Sequence, residues 1–273
     1  MRKIALFHFF TLLLGIFSIA YCQKTGWEEI FFKASQDYQE GRFEDAKKRY
    51  QLLIKSGKQN GYLYYNMANT CYRLGQLGKA ILYYENARFL IPRNADLNAN
   101  LAYARGQVQD EIDDPSSFFK LVFFWLDSLN LIELFWSFVV LNLVFWAILL
   151  KRIFSRSEWS YYLFLIIFII WGIIGSSFGL KYFELMTDDR AVILKKEVDV
   201  LAGPNSNDTL LFRLHEGSIV HLDRREGGWS LIRLPKKRGW VESNSIAIIK
   251  GHLPDGKTTN YDFQMPLNIN KQR

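Results

Sequence analysis

Gly41-Arg-Phe-Glu-Asp-Ala46 and Gly75-Gln-Leu-Gly-Lys-Ala80 are two versions of one phrase, set a step of 34 residues apart along the chain. The register extends beyond the hexapeptides. Tyr38, Phe43, Ala46 and Tyr50 return as Tyr72, Leu77, Ala80 and Tyr84, and Pro92 closes the second copy. A step of this size between small and apolar residues is the mark of stacked helical hairpins, each of which needs a neighbour to bury its apolar face. Gly41 and Gly75 end a first helix in a turn, small Ala46 and Ala80 let the second helix approach it, and the aromatic positions fill the space between hairpins.

These residues resemble the tetratricopeptide repeat, and the resemblance implies an all-α domain over residues 26–110 whose first helices line a peptide groove. Asn94 to Gln109, containing Asp96-Leu-Asn-Ala-Asn-Leu-Ala-Tyr-Ala-Arg105, resembles the opening helix of a third unit and is expected to cap the stack. On the first helix of the second copy, Tyr62, Tyr65, Asn69 and Tyr72 fall at i, i+3, i+7 and i+10, a single stripe. With Tyr38 before it and Tyr103 after it, this stripe is the candidate partner-binding surface. Packing between repeats is the competing use of the same rings. Tyrosine gives contact area at low entropy cost, and an asparagine amide bonds a peptide backbone.

The chain opens Met1-Arg-Lys and continues in an apolar run from Ile4 to Ile19, which reads as a secretory signal peptide over residues 1–20, cleaved after Ala20. A rival reading makes Cys22 a lipidated first residue, although Tyr21 departs from the small residue that such processing prefers. Hydrophobic residues make up 49% of the 273 and aromatics 16%, more than one soluble domain calls for, so part of the chain is expected in lipid. Residues 131–150 and 161–180 read as two transmembrane helices. The second pairs Gly172 with Ser176 and Gly175 with Gly179, small-xxx-small spacings that admit a close helix neighbour, either this chain's own first span or a partner. Between the spans, residues 151–160 carry Lys151-Arg-Ile-Phe-Ser-Arg156, and short basic loops stay cytoplasmic. This charge bias and the signal peptide agree on one topology. The protein is expected in a bacterial inner membrane with both flanking domains extracytoplasmic.

Before the first span, Asp114-Pro115 starts a helix over residues 115–129 that is read as lying on the membrane surface. Beyond Thr187 the pattern changes to short runs with turn signals: Ala191–Leu194, Val198–Leu201, Ser218–Leu222, Trp229–Leu234 and Ile246–Ile249. Ala202-Gly-Pro204, Leu214-His-Glu-Gly217, Gly228-Trp-Ser-Leu-Ile-Arg233 and Arg238-Gly-Trp-Val241 together resemble the bacterial SH3 domain, which implies a small all-β barrel over residues 188–250. In that barrel Trp240 is the candidate ligand-binding residue, while Trp229, sharing a strand face with Leu231, reads as core. Residues 251–273 are polar and aperiodic and read as a flexible tail.

Catalysis needs a nucleophile or a metal held by partners, and none is legible. His215 and His221 lie around Gly217 and would face each other across a hairpin, but no HExxH, CxxC, P-loop, Rossmann glycine pattern or nucleophile elbow accompanies them. The chain reads as no enzyme, with no metal and no cofactor. Cys71 reads as a small buried apolar residue rather than half of a bridge. The net charge of +7 drops to +5 without Arg2 and Lys3, and the basic residues are scattered rather than striped, which argues against nucleic acid. Lys236-Lys-Arg238 is the one basic cluster in the barrel, suited to acidic lipids or wall polymers.

Signal peptide, tetratricopeptide repeats, two spans with a short loop and a bacterial SH3 domain occur here in the order that is similar to the BatE family, from operons first named for Bacteroides aerotolerance. The resemblance implies a membrane scaffold working beside von Willebrand A-type membrane proteins and a MoxR-type ATPase. A cell-wall anchor binding peptidoglycan through the SH3-like domain is the alternative.

Overall fold

A computed structural model describes residues 26–112, 123–154 and 158–249. The expected signal peptide, the expected tail and most of the expected surface helix lie outside them. The chain forms two compact units, one ending at Lys58 and the other starting at Gln59.

The first unit is a hairpin of α1 (Gly26–Gln39) and α2 (Phe43–Lys55). Its turn is made by Gly41, whose φ of +79° suits a residue without a Cβ. Asp37, near the end of α1, is buried and takes hydrogen bonds from Arg42 and, at 2.7 Å, Arg49. The bonds from Arg42 and then Arg49 outweigh burial and hold this carboxyl below its ordinary range.

The second unit begins with the hairpin of α3 (Gly61–Arg73) and α4 (Leu77–Leu90), followed by α5 (Ala95–Arg105). Gly75 repeats the turn with φ +69°. The 34-residue step survives as chemistry. Ser35 Oγ lies 3.0 Å from Tyr50 Oη, and one step later Tyr84 Oη donates to Asn69 Oδ1 at 2.5 Å. Phe31 packs on Tyr50 with centroids 5.7 Å apart, and Tyr65 on Tyr84 at 6.1 Å. Ala34 and Ala68, like Ala46 and Ala80, have no exposed surface, because no larger side chain fits where the paired helices approach. The step also governs helix starts: Asn60 caps α3 by accepting from Tyr62 N and Leu63 N, and Asn94 caps α5 by accepting from Leu97 N. The helix expected after Asn94 is therefore present.

A 3₁₀ helix (Phe124–Ser128) precedes α6 (Leu131–Phe154) and α7 (Glu158–Thr187). Within α6 and α7, residues 131–152 and 158–187 are long and apolar enough to cross a membrane. Only 11% and 6% of their most apolar windows are buried, unlike the core helix of a soluble protein. Both helices outrun the expected spans, so α6 absorbs Lys151 to Phe154 and the connection shortens to residues 155–157, outside the described set. Phe138 stacks on Phe178 at 6.3 Å and Phe145 on Trp171 at 5.3 Å. Of the small residues, Gly175 faces Phe138, while Gly172 and Gly179 have nothing within 4 Å of a built Cβ, so the small stripe is only partly used inside this chain.

The chain ends its described part in a seven-stranded antiparallel sheet of order β3-β2-β6-β5-β4-β1-β7, where β1 is Arg190–Ile193, β2 Glu197–Leu201, β3 Leu210–His215, β4 Ile219–Glu226, β5 Trp229–Arg233, β6 Arg238–Glu242 and β7 Ile246–Ile248. One face buries Ala191, Ile193, Val198, Val200, Val220, Ile232 and Val241, the inward members of alternating strands. The sequence runs missed β3, whose exposed Leu210 and Leu211 break the alternation.

The sheet seats on α4. A Cβ at Gly78 would stand 2.3 Å from Ile193 O, a backbone atom that cannot step aside, whereas one at Gly172 would meet nothing. Gly78→Ala should therefore destabilise the full chain in detergent by about 1–3 kcal/mol, an overpacking cost, and Gly172→Ala should leave it unchanged. Equal melting temperatures for parent, Gly78→Ala and Gly172→Ala would refute the close approach of α4 and β1.

Candidate functional site

The tyrosine stripe lies along α3 and meets α5. Asn100 Nδ2 donates to both Tyr65 Oη and Asn69 Oδ1 at 3.1 Å, and Gln107 Nε2 donates to Tyr72 Oη at 2.6 Å. Tyr72 also packs edge-on to Tyr103 at 6.0 Å. Asn69 Oδ1 thus accepts from two donors, Tyr84 and Asn100, the full capacity of its lone pairs. The predicted residues Tyr65, Asn69, Tyr72 and Tyr103 are brought together, but the first three are partly spent in joining α3 to α5. The stripe's free area falls to Tyr62, 55% exposed, and Tyr103, 65% exposed. Tyr38 belongs to the first unit, where its ring packs edge-on to Phe43 at 5.3 Å. Behind α3, Tyr64 stacks on Tyr83 at 6.3 Å, and burial pushes the Tyr64 hydroxyl up to about 12.

A second constellation joins helices and sheet, and sequence reasoning missed it. Glu85 of α4 has no exposed surface and is gripped by Arg88 at 3.1 Å, by Arg105 of α5 and by Arg190 of β1 at 3.5 Å. Burial works against the charge of Arg190, yet its bonds to Asp188, with Glu85 and Glu184 adding, outweigh that and raise its pKa. The available signal was α4 itself: buried residues occur all round it, from Ala80 through Ala87, and a carboxylate in such a helix requires a cation. Glu216 Oε1 accepts from Gly78 N at 2.9 Å, placing a negative charge in the first turn of α4.

Asp110, in the segment after α5, completes this junction. Its Oδ2 accepts from His215 N at 2.7 Å and Ser218 Oγ at 2.5 Å, and its Oδ1 lies 2.9 Å from His215 Nδ1. Ile112 then packs against the sheet core. Burial alone would raise the Asp110 carboxyl, but the bonds from Ser218 and His215 prevail and lower it.

The residues of the sheet depart from expectation. Trp240 is 6% exposed, with Arg224 5.1 Å above its ring and Leu231 and Leu201 as cross-strand neighbours, so it is no open stacking platform. Trp229 is instead only partly buried, because the core face of β5 carries Ser230 and Ile232. His215 and His221 do not face each other: β3 and β4 are not paired in the sheet, and His221 Nδ1 turns to Asp189 Oδ1 at 2.5 Å. Cys71 is buried, as a small apolar residue would be. Among the described residues no group of His, Cys, Asp and Glu is placed to hold a metal ion. The chain matches no protein-family model and no curated protein.

The lowered carboxyl of Asp110 fixes a pH dependence. A group held below its unfolded value of 3.8 contributes stability above that pH and loses it as pH falls through the lower folded value. Asp110→Ala, leaving Ser218 and His215 N–H without their acceptor, should cost about 1–3 kcal/mol at neutral pH. Denaturant titrations of parent and variant should draw together as pH falls below about 3.8 and meet once it is below the lowered folded value. A gap independent of pH would show that the Asp110 charge does not hold the junction.

Proposed function

We propose that this protein is a non-catalytic membrane scaffold whose helical repeats, of the tetratricopeptide type, hold a protein partner outside the cytoplasm, as the likeness to the BatE family implies. The carrying observation is the α3–α5 face. There a saturated polar ladder fixes two neighbouring first helices side by side and leaves Tyr62 and Tyr103 exposed beside it. Exposed tyrosines on a rigid backing are the composition of a binding surface, since little entropy remains to be lost on capture. The two apolar helices serve as the anchor, and the antiparallel sheet, read as an SH3-like barrel, serves as a mount packed on α4. The proposed partners are a von Willebrand A-type membrane protein and a MoxR-type ATPase system. The burial of Trp240 favours this reading over peptidoglycan binding by the barrel.

Two experiments test it. Reporters active only in the periplasm should work when fused after Asp110 or Lys250 and fail after Ser155; activity after Ser155 would reverse the topology. Tyr62→Ala combined with Tyr103→Ala should weaken crosslinked recovery of a co-expressed von Willebrand A-type protein by about thirtyfold or more, as loss of an aromatic anchor commonly costs roughly 2 kcal/mol. Both rings are largely exposed, so helicity should be unchanged. A folded double variant that keeps its partner, with the full chain co-sedimenting with peptidoglycan, would transfer the function to the wall anchor.

A further inference from the structure

Where α7 leaves its apolar stretch, a polar cleft of about 500 Å³ opens between the helices, the 3₁₀ turn and the sheet. Its walls include Arg88 from α4, Asp127 from the 3₁₀ helix, Lys181 and Glu184 from α7, and Asp189 and Arg190 from the start of the sheet. This volume lies within the range of small-ligand sites, roughly 300–1,000 Å³.

The position of the cleft is set by the sequence. Residues 161–180 are uncharged, and at about 1.5 Å per residue they fill a hydrocarbon layer of about 30 Å. Lys181 is the next residue, at the level of lipid headgroups. A lysine there ordinarily extends its ammonium outward to water. This one is turned inward: its side chain is 9% exposed, lines the cleft and lies 3.3 Å from Glu184 Oε2. The opposite wall is fixed to the same helix, because Trp125 Nε1 of the 3₁₀ turn donates to Ser177 Oγ at 3.1 Å.

The charges are unequal. Arg190 is matched by Asp188 and Glu85, Arg88 by Glu85, Lys181 by Glu184, and Asp189 meets Arg233 and His221. Asp127 has neither an ion pair nor a hydrogen bond among the described residues. The cleft therefore presents the Lys181 ammonium and the guanidiniums of Arg88 and Arg190 together with the Asp127 carboxylate, which has no partner among the described residues, at headgroup depth.

We propose that this cleft binds the phosphoethanolamine headgroup of a membrane lipid, with Lys181 donating to the phosphate and Asp127 accepting from the primary ammonium. The assignment rests on the reading that α6 and α7 span a membrane. A quaternary ammonium has no N–H to donate, so a choline headgroup loses the bond to Asp127, and a glycerol headgroup brings no positive charge to it.

The test uses the full chain in detergent, titrated with phosphatidylethanolamine, phosphatidylcholine or phosphatidylglycerol and followed by native mass spectrometry. Phosphatidylethanolamine should bind about tenfold more tightly than the other two, and Asp127→Asn, with an unchanged melting temperature, should remove that preference. Lys181→Met should weaken all three lipids. Equal retention of the three by the parent, or an undiminished preference in Asp127→Asn, overturns the proposal. So does tight binding of free phosphoethanolamine without binding of the lipid, which would make the ligand a soluble one. Alkaline extraction separates the two levels. A chain released from membranes defeats the spanning reading and the headgroup site with it, while a chain that stays embedded without ethanolamine preference defeats the headgroup site alone.

Discussion

The buried carboxylate of Glu85 is the constraint on which the second unit depends. A carboxylate without exposed surface is expensive to bury unless matched, and removing a partner from such a group commonly costs about 3–5 kcal/mol. The matching guanidiniums come from three elements: Arg88 from α4 itself, Arg105 from α5 and Arg190 from β1. Helix α5 and the first strand are thereby committed to one location. Gly78 makes the same location sterically possible, since only a residue without Cβ lets the backbone at Ile193 approach α4 so closely. An attractive and a permissive device thus specify one contact.

The repeat step carries a second, subtler specification. At each step a hydroxyl on the second helix reaches a polar side chain on the first: Tyr50 with Ser35, then Tyr84 with Asn69. In the second copy Asn69 also accepts from Asn100, so the bond within a hairpin and the bond to the next helix share one oxygen. A buried polar group satisfied in one arrangement alone penalises the alternatives. The cost is that much of the tyrosine stripe is consumed in joining helices, which concentrates free aromatic surface at Tyr62 and Tyr103.

Local pattern made the helical part legible. The glycine turns, the small residues at close approaches and the apolar stretches of α6 and α7 all depend on neighbours a few residues away, and each can be read from spacing. The Asn60 and Asn94 caps were equally local, though only the structure draws attention to their 34-residue separation. What stayed hidden is non-local. Asp110 meets His215 and Ser218 across more than a hundred residues, and nothing near Asp110 in the acidic run marks it as different from its neighbours. The two tryptophans of the sheet exchanged roles for a related reason. Strand alternation assigns them to faces, but which face is the core depends on what packs against it, and the cover of Trp240 is supplied by Arg224 on another strand.

These long-range ties bear on how the proposed scaffold would work. Asn130 Nδ2 donates to Leu90 O at 3.3 Å, and Glu133 pairs with Arg93, so the end of α4 is held to the start of α6. At the other end only Asp188 and Asp189 separate α7 from β1. Both apolar helices therefore meet the second hairpin and the sheet through short, bonded junctions rather than through free linkers. A binding face on a loose tether samples many heights above a membrane, and its effective concentration toward an embedded partner falls as the tether lengthens. The α3–α5 face has no such freedom. Its distance from the proposed lipid surface is set by the Asn130, Glu133 and Glu85 contacts. A partner that is itself embedded in the membrane would meet Tyr62 and Tyr103 at a fixed height, and it is for such a partner that a rigid mount adds affinity.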